Sequence, residues 1–402
     1  MRGVVAALLV GGCATTAPVV EPEPSAGERA GLAPRKQEPE PFTRSSAEPI
    51  PEHLLLDVGV GVFAANIAPD FDTENDPIAR PEVRRAEGNY QAYLLKEELN
   101  SRGDWAAVRV TPHGVTSDVV VEAAIEDSDG EVLALGVRVT DARGVLWFET
   151  RYEVLASAET YAALRPEGDP FEEIYGQVAS DMRDWLHRLP DSELAQIRTI
   201  AEMRFAQGLA PDAFADYVVE EPDGAFDLRR LPAVNDPLLA RVRQIRSREH
   251  LFLDTLDEYF ADFNRAMFLP YRHWRRATYQ TKLTHRRLAQ EARARTLAGS
   301  AALIDSITVG LQGEDPEPQE QRLAVGASLL IGAMHDDAAA EAYADVLREL
   351  GESAEAEIVP HTLRLENRTI TLKGALDTQY VTLRAALKDL WQETVGQPVA
   401  ID

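Results

Sequence analysis

Residues 270–295 carry side chains that could recognise an anionic partner. Eight arginines and lysines lie there with a single acid, Glu291, and aromatic residues are interleaved among them. Such a segment in an acidic protein could bind lipid headgroups, lipopolysaccharide phosphates, wall polymers or an acidic protein surface. The alternative is that these cations neutralise the chain's own acids on neighbouring helices. The predicted partner-binding residues are Arg272, Trp274, Arg275, Arg276, Arg286 and Arg287.

The sequence offers no motif for catalysis, a metal or a cofactor. It contains no GxSxG, P-loop or HExxH pattern, and its eight histidines are scattered. The acids of residues 70–76 alternate like the first half of a calcium loop. However, Asn75 replaces the required glycine and Pro81 replaces the required glutamate. We therefore expect a solvated acidic loop, no catalytic residues and a protein that is not an enzyme.

The single cysteine, Cys13, follows a short apolar run that begins after Arg2. The sequence Val10-Gly11-Gly12-Cys13 resembles the lipobox of bacterial lipoproteins, with Val10 in place of the commoner leucine. The resemblance implies that residues 1–12 are a signal peptide, that Cys13 carries diacylglycerol, and that its new amine is acylated. The alternative is a chance apolar N-terminus with one cysteine.

Residues 13–52 are predicted to tether a folded body to that anchor. The segment is rich in proline and glutamate and poor in aromatic residues, which is typical of a disordered chain. At about 3.1 Å per residue it could reach on the order of 100 Å. Ala14, rather than aspartate, follows the cysteine. In enterobacterial lipoproteins this pattern implies sorting to the outer membrane, so we expect a protein that faces the periplasm from there.

Charge and hydropathy exclude two classes of protein. The 402 residues carry a formal net charge of -26, which repels nucleic acid. No apolar run reaches the roughly 18 to 20 residues that span a bilayer, so a polytopic membrane protein is excluded. One cysteine leaves no internal disulfide, and the fold must depend on packing.

Residues 53–190 are predicted to form an α+β domain. Hydrophobic periodicity gives a strand at 54–67, a helix at 81–100, four further strands between 107 and 155, and a covering helix at 170–189. Leu146, Phe148 and Tyr152 are expected to share one face of the last strand. This layout is similar in outline to envelope modules such as the N-terminal domain of the translocation protein TolB, the curli secretion lipoprotein CsgG, and the outer-membrane lipoprotein activators of penicillin-binding proteins.

Residues 191–402 are predicted to form a mainly helical domain that ends in a β-hairpin and a helix. A long helix begins at Asp236 and reaches Pro270, where it either kinks or gives way to a new helix. Small residues then recur at every fourth position in residues 294–310 and 324–332, which favours a closely packed helical hairpin. The predicted hairpin strands and final helix are 361–365, 369–373 and 376–394.

These observations favour a lipid-anchored periplasmic protein that binds, scaffolds or assembles other components of a bacterial envelope. The expected partners are the membrane, through the anchor, and envelope proteins or the cell-wall polymer, with no cofactor. Two alternatives remain open from the sequence. One is an enzyme acting on envelope polymers through a site that forms only in three dimensions, and the other is a subunit of a secretion or pore assembly.

Overall fold

A five-stranded mixed sheet is the first layer of the fold in the computed structural model, which describes residues 49–66, 81–233, 235–308, 341–352, 361–365 and 368–394. The sheet order is β2-β1-β3-β4-β5, with β1 parallel to both of its neighbours and the remaining pairs antiparallel. This arrangement confirms the α+β prediction with a mixed sheet. The strands are β1 (Asp57–Gly61), β2 (Ala107–Thr111), β3 (Val119–Ser128), β4 (Val132–Asp141) and β5 (Leu146–Leu155).

Alternation of apolar residues sets the buried face of β3 and β4. In β3 the side chains of Val119, Val121 and Ile125 are buried while Glu122 and Glu126 are exposed, as expected for a half-buried strand. The turn between the two strands is closed by the side chain of Asp129, whose Oδ1 accepts the backbone N–H groups of residues 131 and 132 at 2.6 and 2.9 Å. The predicted hairpin is therefore confirmed.

A β-bulge in β5 corrects the predicted face of that strand. Val139 of β4 pairs with Phe148, and the next residue, Thr140, pairs with Leu146, so Trp147 is the extra residue. Trp147 is buried and Leu146 is exposed, contrary to the alternating pattern. The indole N–H of Trp147 donates to a carboxylate oxygen of Asp141 at 3.0 Å, which satisfies its polar atom in the core.

Helices cover the sheet at several places. Helix α1 (Pro81–Arg102) forms the crossover between the parallel strands β1 and β2 and packs against both the sheet and helix α6. Helix α3 (Glu173–Leu186) packs against β5. The short helix α2 (Ala158–Ala163) joins β5 to α3 and begins at a capping box formed by Ser157 and Thr160.

The second part of the described chain is mainly helical, as predicted. The carboxylate of Asp236 accepts the N–H of Leu238 at 2.8 Å and caps α6, which continues through Pro270 as one helix of 72 residues. The hairpin of β6 and β7 was not predicted. The elements are α4 (Asp191–Leu209), α5 (Pro211–Phe214), β6 (Val218–Glu220), β7 (Phe226–Leu228), α6 (Pro237–Thr308), α7 (341–352), β8 (His361–Leu365), β9 (Arg368–Leu372) and α8 (Leu376–Thr394).

The main hydrophobic core is shared by both parts of the described chain. It extends from Leu54 beside the sheet to Trp391 in α8 and includes buried residues of α4 and α6. A second cluster joins α1, the middle of α6 and α7 through residues such as Tyr90, Met267 and Leu347. The domain boundary at residue 190 stays a prediction, and packing is continuous across it.

Candidate functional site

The structure places two of the predicted partner-binding residues in the interior. Trp274 is 2% exposed and stacks on Tyr271 with ring centroids 5.8 Å apart, and Arg275 is 1% exposed. One guanidinium nitrogen of Arg275 donates to both carboxylate oxygens of Asp169, at 2.8 and 2.9 Å. This burial corrects the expectation for these two residues, because neither side chain can contact a partner of the folded chain.

The charge of Arg275 is held by its partner. Burial alone lowers the pKa of Arg275, but the Asp169 carboxylate raises the pKa well above its ordinary value, so the guanidinium stays ionised. Its central carbon also lies 3.9 Å from the ring centroid of Tyr271 and 4.6 Å from that of Phe171. A buried ion pair between aromatic rings fixes the loop before α3 to α6.

Two more cations of the segment form ion pairs with the β3–β4 turn. Lys282 pairs with Asp129, and Arg286 pairs with both carboxylate oxygens of Glu131. A Cβ atom on Gly130, between these acids, would lie 2.0 Å from the carbonyl oxygen of Arg275. The turn therefore approaches the helix backbone as closely as glycine allows. We call residues 271–286 of α6 the docking segment.

Only part of the predicted basic surface remains available to a partner. Arg272 is partly exposed and donates to the carbonyl oxygen of Pro166, whereas Arg276 and Arg287 are exposed. Within the described ranges, neither Arg276 nor Arg287 has a hydrogen-bond or ion-pair partner. Eleven residues are about three helical turns, so the two arginines lie on one side of α6, roughly 16 Å apart.

Beneath the docking segment lies a buried polar network that the sequence did not predict. The hydroxyl groups of Ser128 and Tyr271 both donate to one carboxylate oxygen of Glu87 at 2.5 Å. Gln91 donates to the Tyr271 oxygen at 3.1 Å and accepts from Tyr175. Burial raises the pKa of Tyr271 well above its ordinary value, so the phenol stays protonated. The sequence carried one signal for this network: Glu87 and Gln91 are polar residues four positions apart among the buried positions of α1.

A polar cavity of about 450 Å³ lies at the opposite end of the sheet from the carboxyl ends of the parallel strands. Asp57 begins β1 and Asp118 directly precedes β3. Helices α4 and α6 form the other wall with arginine and histidine side chains. We call it the α4–α6 cavity, and its charged or titratable lining residues are His53, Asp57, Asp118, Arg198, Glu202, Arg243, Arg246 and His250.

Burial perturbs two titratable groups of the α4–α6 cavity in opposite senses. It raises the pKa of the Asp118 carboxyl to about 6 because the charged form loses its hydration. It lowers the pKa of His250 to about 4, with further lowering by Arg246 and Arg109. His250 is therefore neutral near pH 7. Perturbed groups in a cleft are typical of functional sites, although structural networks produce them too.

A smaller cavity of about 230 Å³ lies near the carboxyl ends of β1 and β2. Its lining is mostly apolar and includes Phe63 and Leu376. At its rim the His113 ring nitrogen Nδ1 lies 3.1 Å from a carboxylate oxygen of Asp377. Those two side chains are exposed, so this cavity offers fewer oriented polar groups than the α4–α6 cavity.

The described residues hold no cluster of histidine, cysteine and acidic side chains suited to a metal ion. None of the helices within the described ranges is both long and apolar enough to cross a bilayer. Cys13, residues 14–48 of the predicted tether, the acidic loop at 70–76 and the small-residue segment at 324–332 lie outside the described residues. The predictions for them stay predictions. The last tether residues, 49–52, are described, and Ile50 among them packs against the main core.

Comparisons with known proteins identify no relative of this chain. No protein-family model matches the chain, and neither curated proteins nor solved structures yield a match. The candidate function therefore depends on the residues themselves.

Proposed function

We propose that this chain is a lipid-anchored protein of a bacterial cell envelope whose folded body binds envelope proteins or the wall polymer without catalysis. The observation that carries the proposal is the sequence Val10-Gly11-Gly12-Cys13, followed at once by a tether rich in proline and glutamate. Two or more acyl chains on Cys13 would anchor the body stably, whereas one chain gives only marginal binding.

Replacing the acylated residue tests the anchor. In Cys13→Ser the hydroxyl cannot form the thioether, so we expect the protein to leave the membrane fraction or to retain residues 1–12. Fractionation and the mass of the N-terminal peptide measure both effects. Ala14→Asp is the matched control, because it alters the neighbouring residue and leaves the thiol in place; it should stay in a membrane fraction. A Cys13→Ser protein that is cut and membrane-bound like the parent would contradict the proposal.

The geometry of α6 supports a narrower binding surface than the sequence indicated. Arg276 and Arg287 are exposed on one side of the helix, and no described acid neutralises them. The full chain is acidic, with a formal net charge of -26, so a local positive strip would orient an anionic partner. Phosphates or carboxylates on a polymer or protein surface have the required charge.

Charge reversal at the strip tests this surface. We expect Arg276→Glu combined with Arg287→Glu to lose envelope partners that the parent chain retains in quantitative affinity capture. The control combines Arg138→Glu with Arg229→Glu, which changes net charge equally at two arginines whose side chains are each 51% exposed elsewhere. Equal loss in both double variants would show that only overall charge matters, and unchanged capture would remove the strip from the binding surface.

A further inference from the structure

The acidic floor of the α4–α6 cavity follows from the strand pairing. β1 and β3 run parallel, with Val58 opposite Val119, so the residues that precede them, Asp57 and Asp118, lie side by side. The backbone N–H of Asp57 donates to Oδ2 of Asp118 at 2.9 Å. The Asp57 carboxylate itself has no hydrogen-bond or ion-pair partner among the residues that the structure describes.

The basic wall of the cavity comes from two helices. Arg198 of α4 donates one guanidinium nitrogen to the carbonyl oxygen of Leu55, and Arg246 of α6 donates one to the carbonyl oxygen of Thr116 at 3.2 Å. A guanidinium has five N–H donors, so each retains donors for another acceptor. Within the described chain, Nε of Arg246 is buried and has no partner.

The third arginine of the cavity is already neutralised. Arg243 donates to the two carboxylate oxygens of Glu202 at 2.5 and 3.0 Å. The groups left to interact with a ligand are therefore two guanidinium groups on the helices and carboxyl groups on the strand ends. Both guanidinium groups reach the strand ends, because the carbonyl groups that they bond belong to Leu55 and Thr116, each two residues before one of the acids.

Opposite charges that line one cavity select the chemistry of the ligand. A simple anion would pair with the guanidinium groups and leave the Asp57 carboxylate unpaired, and a simple cation would do the reverse. A molecule that carries both a carboxylate and an ammonium group can pair with both kinds of side chain, and planar carboxylates suit guanidinium donors. The volume of about 450 Å³ is within the range of small-molecule sites.

We propose that the α4–α6 cavity binds a small zwitterion, an amino acid or a short peptide, with its carboxylate at Arg198 and Arg246 and its ammonium group at Asp57. The neutral imidazole of His250 supplies one further donor or acceptor to the bound molecule. This site is separate from the Arg276–Arg287 strip and does not depend on acylation of Cys13.

Titration calorimetry on the full chain at pH 7 tests the site with glycine, L-alanine and L-alanyl-L-alanine as probes. We expect at least one probe to bind. Its N-acetylated and C-amidated analogues should each lose affinity by about tenfold or more, because each lacks one charge. The zwitterion assignment would be overturned if either analogue, or inorganic phosphate, bound with the same affinity as the parent probe. Absence of binding by all three probes at millimolar concentration would overturn it as well.

Variants of the cavity locate the binding. Asp57→Asn keeps the size of the side chain and the backbone hydrogen bond to Asp118, and Ala195→Trp fills the cavity from an exposed lining position of α4. Each substitution should lower the affinity for the probe by about tenfold or more, and Arg246→Gln should do the same. Arg265→Gln, at an exposed arginine elsewhere on α6, is the control and should bind like the parent. Unchanged binding in folded Asp57→Asn and Ala195→Trp proteins, checked by circular dichroism, would place the ligand elsewhere.

Discussion

Arg275 and Arg246 lie on the same helix and serve different ends. In the docking segment, Arg275 is 1% exposed, and Asp169 and two aromatic rings surround its guanidinium. In the α4–α6 cavity, Arg246 is only partly buried, donates to one backbone carbonyl, lies 5.6 Å from the ring centroid of Phe205 and lines the cavity. The two arginines differ in their counter-ion: Asp169 pairs with Arg275, and no described acid forms an ion pair with Arg246.

The largest expected effect is in the docking segment. Asp169→Asn keeps the shape of the side chain but leaves the buried Arg275 charge without its counter-ion. We expect the free energy of unfolding to fall by about 3–5 kcal/mol in urea denaturation, as when one partner of a buried pair is removed. Arg276→Gln, at the exposed neighbour, should stay within about 0.5 kcal/mol of the parent. A loss below about 1 kcal/mol for Asp169→Asn would contradict the structural role of this pair.

The close approach at the β3–β4 turn predicts the next effect. A Cβ at residue 130 would lie 2.0 Å from the carbonyl oxygen of Arg275 and 2.4 Å from the backbone nitrogen of Tyr279. Both are backbone atoms of a helix and cannot rotate away. We therefore expect Gly130→Ala to cost about 1–3 kcal/mol of stability in urea denaturation. In Gly61→Ala the new methyl group meets its nearest neighbour at 3.4 Å, so that variant should be close to neutral.

The α4–α6 cavity predicts opposite pH dependences for two variants. Between about pH 4 and pH 6 the folded state binds more protons at Asp118 than the unfolded state does, because its pKa is raised to about 6. This group therefore makes stability fall as the pH rises. At His250 the lowered pKa of about 4 means that the unfolded state binds more protons, so this group makes stability rise with pH. In the parent chain the two contributions offset each other.

Replacing either group should reveal the pH dependence that the other group gives to stability. From about pH 4.5 to pH 6, we expect Asp118→Asn to gain about 2 kcal/mol of stability relative to the parent, and His250→Asn to lose about the same amount. Denaturation at the two pH values measures both differences. Parallel pH profiles for the parent and the two variants would show that these groups titrate normally.

The smallest expected effect concerns an exposed pair at the edge of the docking segment. The Arg286 side chain is 54% exposed and pairs with Glu131. Water screens such pairs, so we expect Arg286→Gln to change the free energy of unfolding by less than about 1 kcal/mol. A loss as large as that for Asp169→Asn would erase the distinction between the buried and the surface contacts of this helix.

Periodicity predicted most of the elements, and contacts distant in sequence explain what it missed. The α+β class, the β3–β4 hairpin and the helix 376–394 are as predicted, because local alternation and turn residues encode them. Arg275 pairs with Asp169, more than 100 residues away in the chain, and Trp274 packs in a cluster with residues of α1 and α7. The α4–α6 cavity likewise joins strand ends to two later helices. Local sequence patterns do not predict such contacts between residues that are distant in the chain.

The mass of the mature N-terminus tests the anchor, on which the proposed function depends, most directly. Mass spectrometry of the protein extracted from membranes should show a chain that begins at Cys13, with a mass increased by diacylglycerol and a further acyl group. A chain that begins at Met1 with an unmodified Cys13 would contradict the account.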